Sequence, residues 1–171
     1  MNKLSRHFYA HFYALFFMLM AVPVCAQMQF STDPEAPTIL EAGRMLWQQE
    51  SARMVLSEGA QLTQGPLMLT AEAMEIITGS EGGAPERLTA NGQVVLRSDN
   101  GRVARGDKAV YIFAQEILTL TGNVEMSDTS PDARAQKLSG AALTINMRDG
   151  TSRLTGGEGG GRARIELRPD K

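Results

Sequence analysis

Hydrophobic and polar residues alternate over short stretches of the chain beyond about residue 38. The alternation is clearest at 67–71, 94–97, 110–113 and 118–121. Runs with a period of two, bounded by turn-forming residues, predict β-strands that bury one face. No segment keeps a helical period through three turns. The pattern therefore predicts an all-β domain.

Turn-forming dipeptides separate these stretches. They include Gly65-Pro66, Asn91-Gly92, Gly122-Asn123 and Asp149-Gly150. Glycine and asparagine tolerate positive φ, and proline fixes its own φ, so such pairs are typical of hairpin connections. The sequence therefore predicts short strands with a turn at each dipeptide.

A strand-like hexamer recurs four times within this pattern. The copies begin at Ala42, Ala71, Gly106 and Gly140, which are 29, 35 and 34 residues apart (71−42, 106−71, 140−106). Each copy is followed by a turn glycine after a Leu-Thr-like step, and these glycines are Gly59, Gly92, Gly122 and Gly156. Spacings of this size are typical of units that bury their apolar faces only by packing side by side. We therefore predict four β repeat units with an apolar inner surface that suits a long apolar ligand.

The first 26 residues have the features of a secretory signal peptide. Lys3 and Arg6 precede an unbroken apolar run at 12–22, and Ala26 provides the small residue before a cut at Gln27. The run is too short to span a bilayer as a helix. Two alternatives stay open: a buried helix, and a lipoprotein anchored through Cys25, which the bulky Val24 disfavours. We expect a signal peptide at 1–26, a flexible lead-in at 27–37 and one domain at 38–169.

The composition of the exported chain excludes several classes of function. Both histidines and the only cysteine, His7, His11 and Cys25, lie in the predicted signal peptide. The remaining 145 residues (171−26) therefore exclude a zinc site with His or Cys ligands, a Ser-His-Asp triad and a disulfide. Their net charge of −4 (−2 less the charges of Lys3 and Arg6) argues against a nucleic-acid partner. We expect no catalytic residue, no metal and no cofactor, although a pair of carboxylates stays open in principle.

The hexamers, together with the Leu-Thr-x-Gly-Asn-Val-like segments that follow them, resemble the LptA/OstA family of periplasmic lipopolysaccharide-transport proteins. The resemblance covers about 37–169, and its most similar segments are 56–61, 88–94, 101–111, 118–124 and 162–169. The chain departs from the family pattern where Gly43 and Glu72 replace an aspartate. These departures leave the strand register open.

The resemblance implies a fold, a ligand and partners. The fold is an open, twisted antiparallel β-jellyroll whose apolar interior holds the acyl chains of lipopolysaccharide. Molecules stack end to end, and inner-membrane and outer-membrane components that share the fold complete a bridge between the membranes. The predicted cut before Gln27 favours the periplasmic bridge component over its anchored sibling. The translocon subunit would carry a long membrane barrel after this domain.

Alternation along the strands predicts which side chains line such an interior. Burial of apolar surface contributes about 0.8 kcal/mol per methylene without a specific polar contact, so an acyl chain can be held and still slide. Plain core packing is the alternative at each position. The predicted lipid-binding residues are Leu40, Trp47, Leu69, Ile76, Leu96, Tyr111, Phe113, Leu120, Met126, Leu143 and Ile145.

A hypothesis about self-assembly follows from the two ends of the predicted sheet. Strands near 38–41 and 162–167 are the expected edges, and unpaired edges favour head-to-tail self-association. The arginines at 162, 164 and 168 are candidates for lipid phosphates or for a partner's acids, with a solvated face as the alternative. Two rival functions stay open: an exported β-solenoid structural or adhesive protein without lipid cargo, and a hydrolase that uses carboxylates.

Overall fold

The computed structural model describes residue 30, residue 33 and residues 35–79, 83–129, 136–157 and 161–167. The predicted signal peptide and much of the predicted lead-in lie outside the described residues. Within them, twelve antiparallel strands form one sheet, and a short 3₁₀ turn spans Phe113–Gln115. The strands are β1 Thr38–Glu41, β2 Arg44–Gln48, β3 Arg53–Ser57, β4 Ala60–Gln64, β5 Leu67–Ala71, β6 Ala73–Thr78, β7 Pro85–Ser98, β8 Arg102–Ile112, β9 Ile117–Asp128, β10 Gln136–Asn146, β11 Ser152–Thr155 and β12 Arg164–Leu167.

The four longest strands, β7 to β10, bend near their middles and divide the sheet in two. The pairing register shifts at Asn91/Val94 in β7, at Arg105/Lys108 in β8 and at Gly140/Ala142 in β10. Half-sheet I has the order β1-β4-β5-β7-β8-β9-β10-β12. Half-sheet II has the order β2-β3-β6-β7-β8-β9-β10-β11. The all-β, open and antiparallel fold predicted from the sequence is confirmed.

The bends correct two of the predicted turns. Asn91-Gly92 and Gly122-Asn123 lie inside β7 and β9, which continue through them from one half-sheet into the other. Gly122 (φ 77°) and Asn123 (φ 46°) are both left-handed, a conformation open to glycine and tolerated by asparagine. Two consecutive left-handed residues redirect a strand without ending its pairing.

An acidic side chain packs against each of these two bends, from β8 at one and from the connection between β5 and β6 at the other. Asp107 lies against Gly122 so closely that a Cβ on the glycine would clash with its carboxylate. The Oδ2 atom of Asp107 accepts a hydrogen bond of 2.8 Å from Asn123 Nδ2. Glu72 and Gln93 repeat the arrangement at Gly92, also with a bond of 2.8 Å. The recurring acid and glycine of the sequence pattern thus form the bend.

The four hexamers lie on β2, β6, β8 and β10, all of them strands of half-sheet II. The repeat therefore marks equivalent strand positions within one continuous sheet. Buried apolar side chains from both half-sheets form one core cluster between them. The bends join the two half-sheets and close this interior on one side. The interior is the part of the fold that forms the candidate functional site.

Candidate functional site

Three rows of apolar side chains line the interior, and each row crosses the sheet at right angles to the strands. Residues that pair directly across neighbouring antiparallel strands share a face, so the register defines the rows. Each row crosses eight strand segments, which corresponds to about 34 Å at a strand spacing of ~4.8 Å. A path of this length is what a long, flexible apolar ligand needs.

Half-sheet II carries two of the rows. The row nearer the bends is Met45, Leu56, Met74, Ala90, Ala109, Leu120, Leu143 and Leu154. The next row is Trp47, Met54, Ile76, Leu88, Tyr111, Leu118 and Ile145, and it ends on Ser152. Polar side chains occupy most of the alternate positions.

Half-sheet I carries the third row, which faces the other two. Its members are Leu40, Leu62, Leu69, Leu96, Ala104, Met126, Leu138 and Ile165. Most of the residues in the middle of the three rows are buried, whereas the ends are open. Met45 and Trp47 are 49% and 48% exposed at one end, and Ile165 is 55% exposed at the other. The apolar lining therefore reaches solvent at both ends of the sheet.

The structure brings the predicted lining residues together on this interior. Ten of the eleven belong to the three rows, by their register positions. Phe113 follows β8 and packs edge-on against Tyr111, with 4.7 Å between the ring centroids and 62° between the rings. Leu69, Ile76, Leu96, Leu120, Met126, Leu143 and Ile145 are buried. Leu40, Tyr111 and Phe113 are partly buried and pack against the core.

Trp47 lies at one end of its row, and about half of its side chain is exposed. It is on the inward face, opposite Met54, yet β2 is an edge strand of half-sheet II, so no further strand covers it. Trp47 therefore lies at an open end of the interior.

Several lining residues were not predicted from the sequence. Leu88 and Leu118 are the clearest, since both are buried and lie next to Tyr111 in its row. The alternation at 86–90 and 117–121 carries the signal that identifies them. Ala90, Ala104 and Ala109 were missed because a small side chain gives a weak hydrophobic signal.

The side of the interior opposite the bends forms a mouth between the two half-sheets. On half-sheet I it is bounded by Gln64 and Leu67 at the β4–β5 turn, and on half-sheet II by Phe113 and Met147. The cavity between them measures about 20 Å³, little more than the space of one water molecule. At this place in the interior the protein's own side chains leave little free space.

One titratable side chain, that of Tyr111, belongs to the rows. Its partial burial raises the pKa of the phenol above the ordinary value of 10.0, and the nearby charge of Glu116 raises it further. The phenol is therefore neutral at physiological pH. Ion pairs such as Arg44–Glu58 and Lys137–Glu125 lie on exposed side chains, with closest N–O distances of 2.9 and 2.7 Å. The charged groups of these pairs lie outside the three rows, so the lining stays apolar.

The predicted arginines lie at the β12 end. Arg164 pairs with Glu166 of its own strand at 3.0 Å, and Arg162 borders a recess on the outer surface near Asn123 and Ser139. Arg168 lies outside the described residues. A role of these arginines toward phosphates stays a prediction.

The described part of the chain contains no group of three or more His, Cys, Asp or Glu residues placed to hold a metal ion. It contains no helix long and apolar enough to cross a membrane.

Comparisons with known proteins agree with this geometry. Residues 40–151, more than half of the chain, match the profile of the family described as LptA/(LptD N-terminal domain) LPS transport protein. A similar solved structure is that of LptH from Pseudomonas aeruginosa, described as the LptA homologous periplasmic component of the conserved lipopolysaccharide transport device. The two chains are 15% identical with a TM-score of 0.66, over 81% of this chain and 99% of LptH. At this identity the likeness shows the β-jellyroll fold. No curated protein sequence matches the chain.

Proposed function

This chain belongs to the LptA/LptD N-terminal domain family of lipopolysaccharide transport proteins, and from that premise we propose that it carries lipopolysaccharide across the periplasm with the acyl chains between its half-sheets. It takes lipopolysaccharide from an inner-membrane component and passes it to the outer-membrane translocon. The periplasmic location rests on the predicted signal peptide and on the description of LptH.

The observation that carries the proposal is the continuous apolar lining with two open ends. A point-like site would collect polar groups in one place, whereas these three rows present mainly Leu, Ile, Met and Ala over their whole length. Each methylene removed from water contributes about 0.8 kcal/mol, so several acyl carbons give substantial binding without any polar contact. Because neighbouring positions in the rows are chemically similar, a chain can shift along them.

Lipid entry requires the half-sheets to separate. A cavity of about 20 Å³ does not admit an acyl chain, so the interior opens at the mouth as the ligand enters. The two halves are joined through bends in four long strands, and a small change at each bend moves one half relative to the other. Methionines such as Met54, Met74 and Met126 line the interior, and their flexible side chains adapt to a changing occupant.

Assembly follows from the sheet edges. β1 and β2 form the edges at one end, and β11 and β12 form those at the other. The apolar side chains of Ile39, Met45, Leu46 and Trp47 are exposed at the first end, and that of Ile165 at the second. Pairing of the first end of one copy with the second end of another extends both the sheet and its lining. Such a contact is heterologous and continues into a chain of copies.

Displacement of a fluorescent fatty acid by lipopolysaccharide tests the proposal. We expect intact lipopolysaccharide to displace the probe and its isolated oligosaccharide, which lacks lipid A, to leave the probe bound. Equal displacement by both ligands would place recognition on the sugar and contradict the acyl-chain site. No binding of probe or lipopolysaccharide would favour a structural β-protein without lipid cargo.

A further inference from the structure

The two edge strands of each half-sheet point in opposite directions. Each half-sheet contains eight strands, and all neighbouring strands in it are antiparallel. A second copy in the same orientation therefore presents its β1 antiparallel to β12 of the first copy, and its β2 antiparallel to β11. A single head-to-tail contact can extend both half-sheets with the antiparallel pairing that they already use.

The interior row of half-sheet I defines one register for this contact. The row begins at Leu40 and ends at Ile165. It continues into the next copy when Ile165 lies opposite Leu40 of that copy. A slip by one residue would turn the side chains of the added strand to the other face. A slip by two residues would place Thr38 or Ala42 opposite Ile165 and interrupt the row of large apolar side chains.

Charges on the outer face favour the same register. In the register that continues the row, Arg164 lies directly opposite Glu41 of the next copy, because positions in an antiparallel ladder pair in opposite order. The side chain of Arg164 is 71% exposed, and Glu41 is exposed as well. Opposite charges across neighbouring strands stabilise the pairing. A slip that brings Ala42 opposite Ile165 would instead place Glu166 opposite Glu41, and like charges there destabilise it.

Both charged groups have bonding capacity left for this pair. In the single copy, Arg164 pairs with Glu166 of its own strand at 3.0 Å, and Glu41 accepts a hydrogen bond of 3.0 Å from Gln61. A guanidinium group carries five N–H donors, and a carboxylate accepts several hydrogen bonds. A bond between Arg164 and Glu41 of the next copy therefore requires neither existing contact to break.

We propose that Arg164 and Glu41 of the next copy form a charge pair that fixes the register in which copies of this chain join. This inference rests on the proposed function, because it specifies how end-to-end assembly keeps the apolar lining continuous. At the other joint, the row nearer the bends continues when Leu154 lies opposite Met45 of the next copy. The lining then passes from one copy to the next in both half-sheets.

Disulfide crosslinking measures the register directly. The chain has no cysteine after Cys25, so an exported variant with one new cysteine carries a single thiol. Ile165→Cys is mixed in turn with Leu40→Cys, which reports the proposed register, and with Thr38→Cys or Ala42→Cys, which report the two slipped registers. Directly opposite Cα atoms lie about 4.5–5.5 Å apart, whereas diagonal neighbours lie about 7–8 Å apart, beyond the usual reach of a disulfide.

Under mild oxidation we expect the 165–40 disulfide to form at least about tenfold faster than the other two. Equal rates for the three mixtures, or faster formation of a slipped disulfide, would overturn the proposal. Added Arg164→Glu in the Ile165→Cys protein should reduce the preference for position 40. An unchanged preference would show that the lining alone sets the register, and would refute the role of the charge pair.

A charge exchange tests the pair through affinity. Arg164→Glu or Glu41→Arg alone places like charges opposite each other and should weaken self-association about three- to tenfold. The two changes in one chain restore an opposite pair and should restore the parent affinity. Arg153→Glu is the matched control, since it changes the net charge equally but lies on β11, opposite Leu46 of the next copy; it should change the affinity less than about twofold. No rescue by the double variant would overturn the proposal.

The outcomes separate this inference from the transport function. If the parent protein binds lipopolysaccharide but sediments as a monomer at every concentration, the charge pair is refuted and the lipid site stands. If the parent self-associates in the proposed register but binds no lipopolysaccharide, the register stands as a contact between copies and the transport function is refuted.

Discussion

Replacement of Gly122 by alanine tests how the sequence builds the bend between the half-sheets. Gly122 has φ of 77°, a left-handed conformation that costs an L-residue roughly 1–2 kcal/mol. The added Cβ would also lie 2.8 Å from the Cβ of Asp107 and closer still to its carboxylate. Asp107 must move away and lose its hydrogen bond with Asn123, worth about 1 kcal/mol. We expect Gly122→Ala to lower the free energy of unfolding by about 2–3 kcal/mol.

Gly59 provides a matched control for the conformational part of this cost. It has φ of 84°, and a Cβ there would meet no atom within 4 Å. Gly59→Ala should therefore cost only the roughly 1–2 kcal/mol of the left-handed conformation. The difference between the two variants measures the contact with Asp107.

Urea denaturation supplies the free energies of unfolding of the two variants. Equal m-values would confirm that both variants expose the same surface on unfolding. The Asp107→Ala background completes a double-mutant cycle. In that background Gly122→Ala should cost no more than Gly59→Ala does in the parent. Equal costs for Gly122→Ala and Gly59→Ala in the parent protein, or no coupling with Asp107, would refute the role of the acid at the bend.

Three further predictions concern the mouth and the edges. The pKa of Tyr111 is raised, so its contribution to stability is complete below pH 10 and is lost as the pH rises through the pKa of the folded state; Tyr111→Phe should remove this alkaline loss in a series of denaturation curves. Trp47, the only tryptophan, is half exposed at the β2 edge, so its emission should shift to the blue as rising protein concentration drives end-to-end contacts, and a concentration-independent spectrum would count against this edge as an interface. Deletion of 162–171 removes β12 and should leave a folded, lipid-binding protein that no longer elongates; sedimentation velocity over a concentration series checks this, and undiminished self-association would argue against the β12 end.

The sequence was a good guide to the strands and to their inward faces. Alternation with a period of two fixes which side chains share a face once a strand is placed, so Leu69, Leu96 and Leu120 could be identified without knowledge of the pairing. Three of the four recurring glycines, Gly59, Gly92 and Gly122, likewise identified positions of positive φ. These features are local, and a local pattern is enough to predict them.

The division into two half-sheets could not be predicted. Asn91-Gly92 looks the same in sequence whether it ends a strand or bends one, and the difference depends on whether β8 pairs with both sides of it. The exposure of Trp47 depends on β2 being an edge, which follows from the strand order of the whole sheet. The approach of Asp33 to Gly65 joins positions more than thirty residues apart. All three are non-local properties.

Photo-crosslinking at two neighbouring surfaces of half-sheet II tests the central claim most directly. Tyr111 faces the interior at its mouth, and Thr119, on the adjoining strand, belongs to the outward row opposite Val110. With a photoreactive amino acid at each position in turn, lipopolysaccharide should be captured in cells from position 111 and not from position 119. Capture from both positions alike, or from position 119 alone, would contradict an acyl-chain site between the half-sheets.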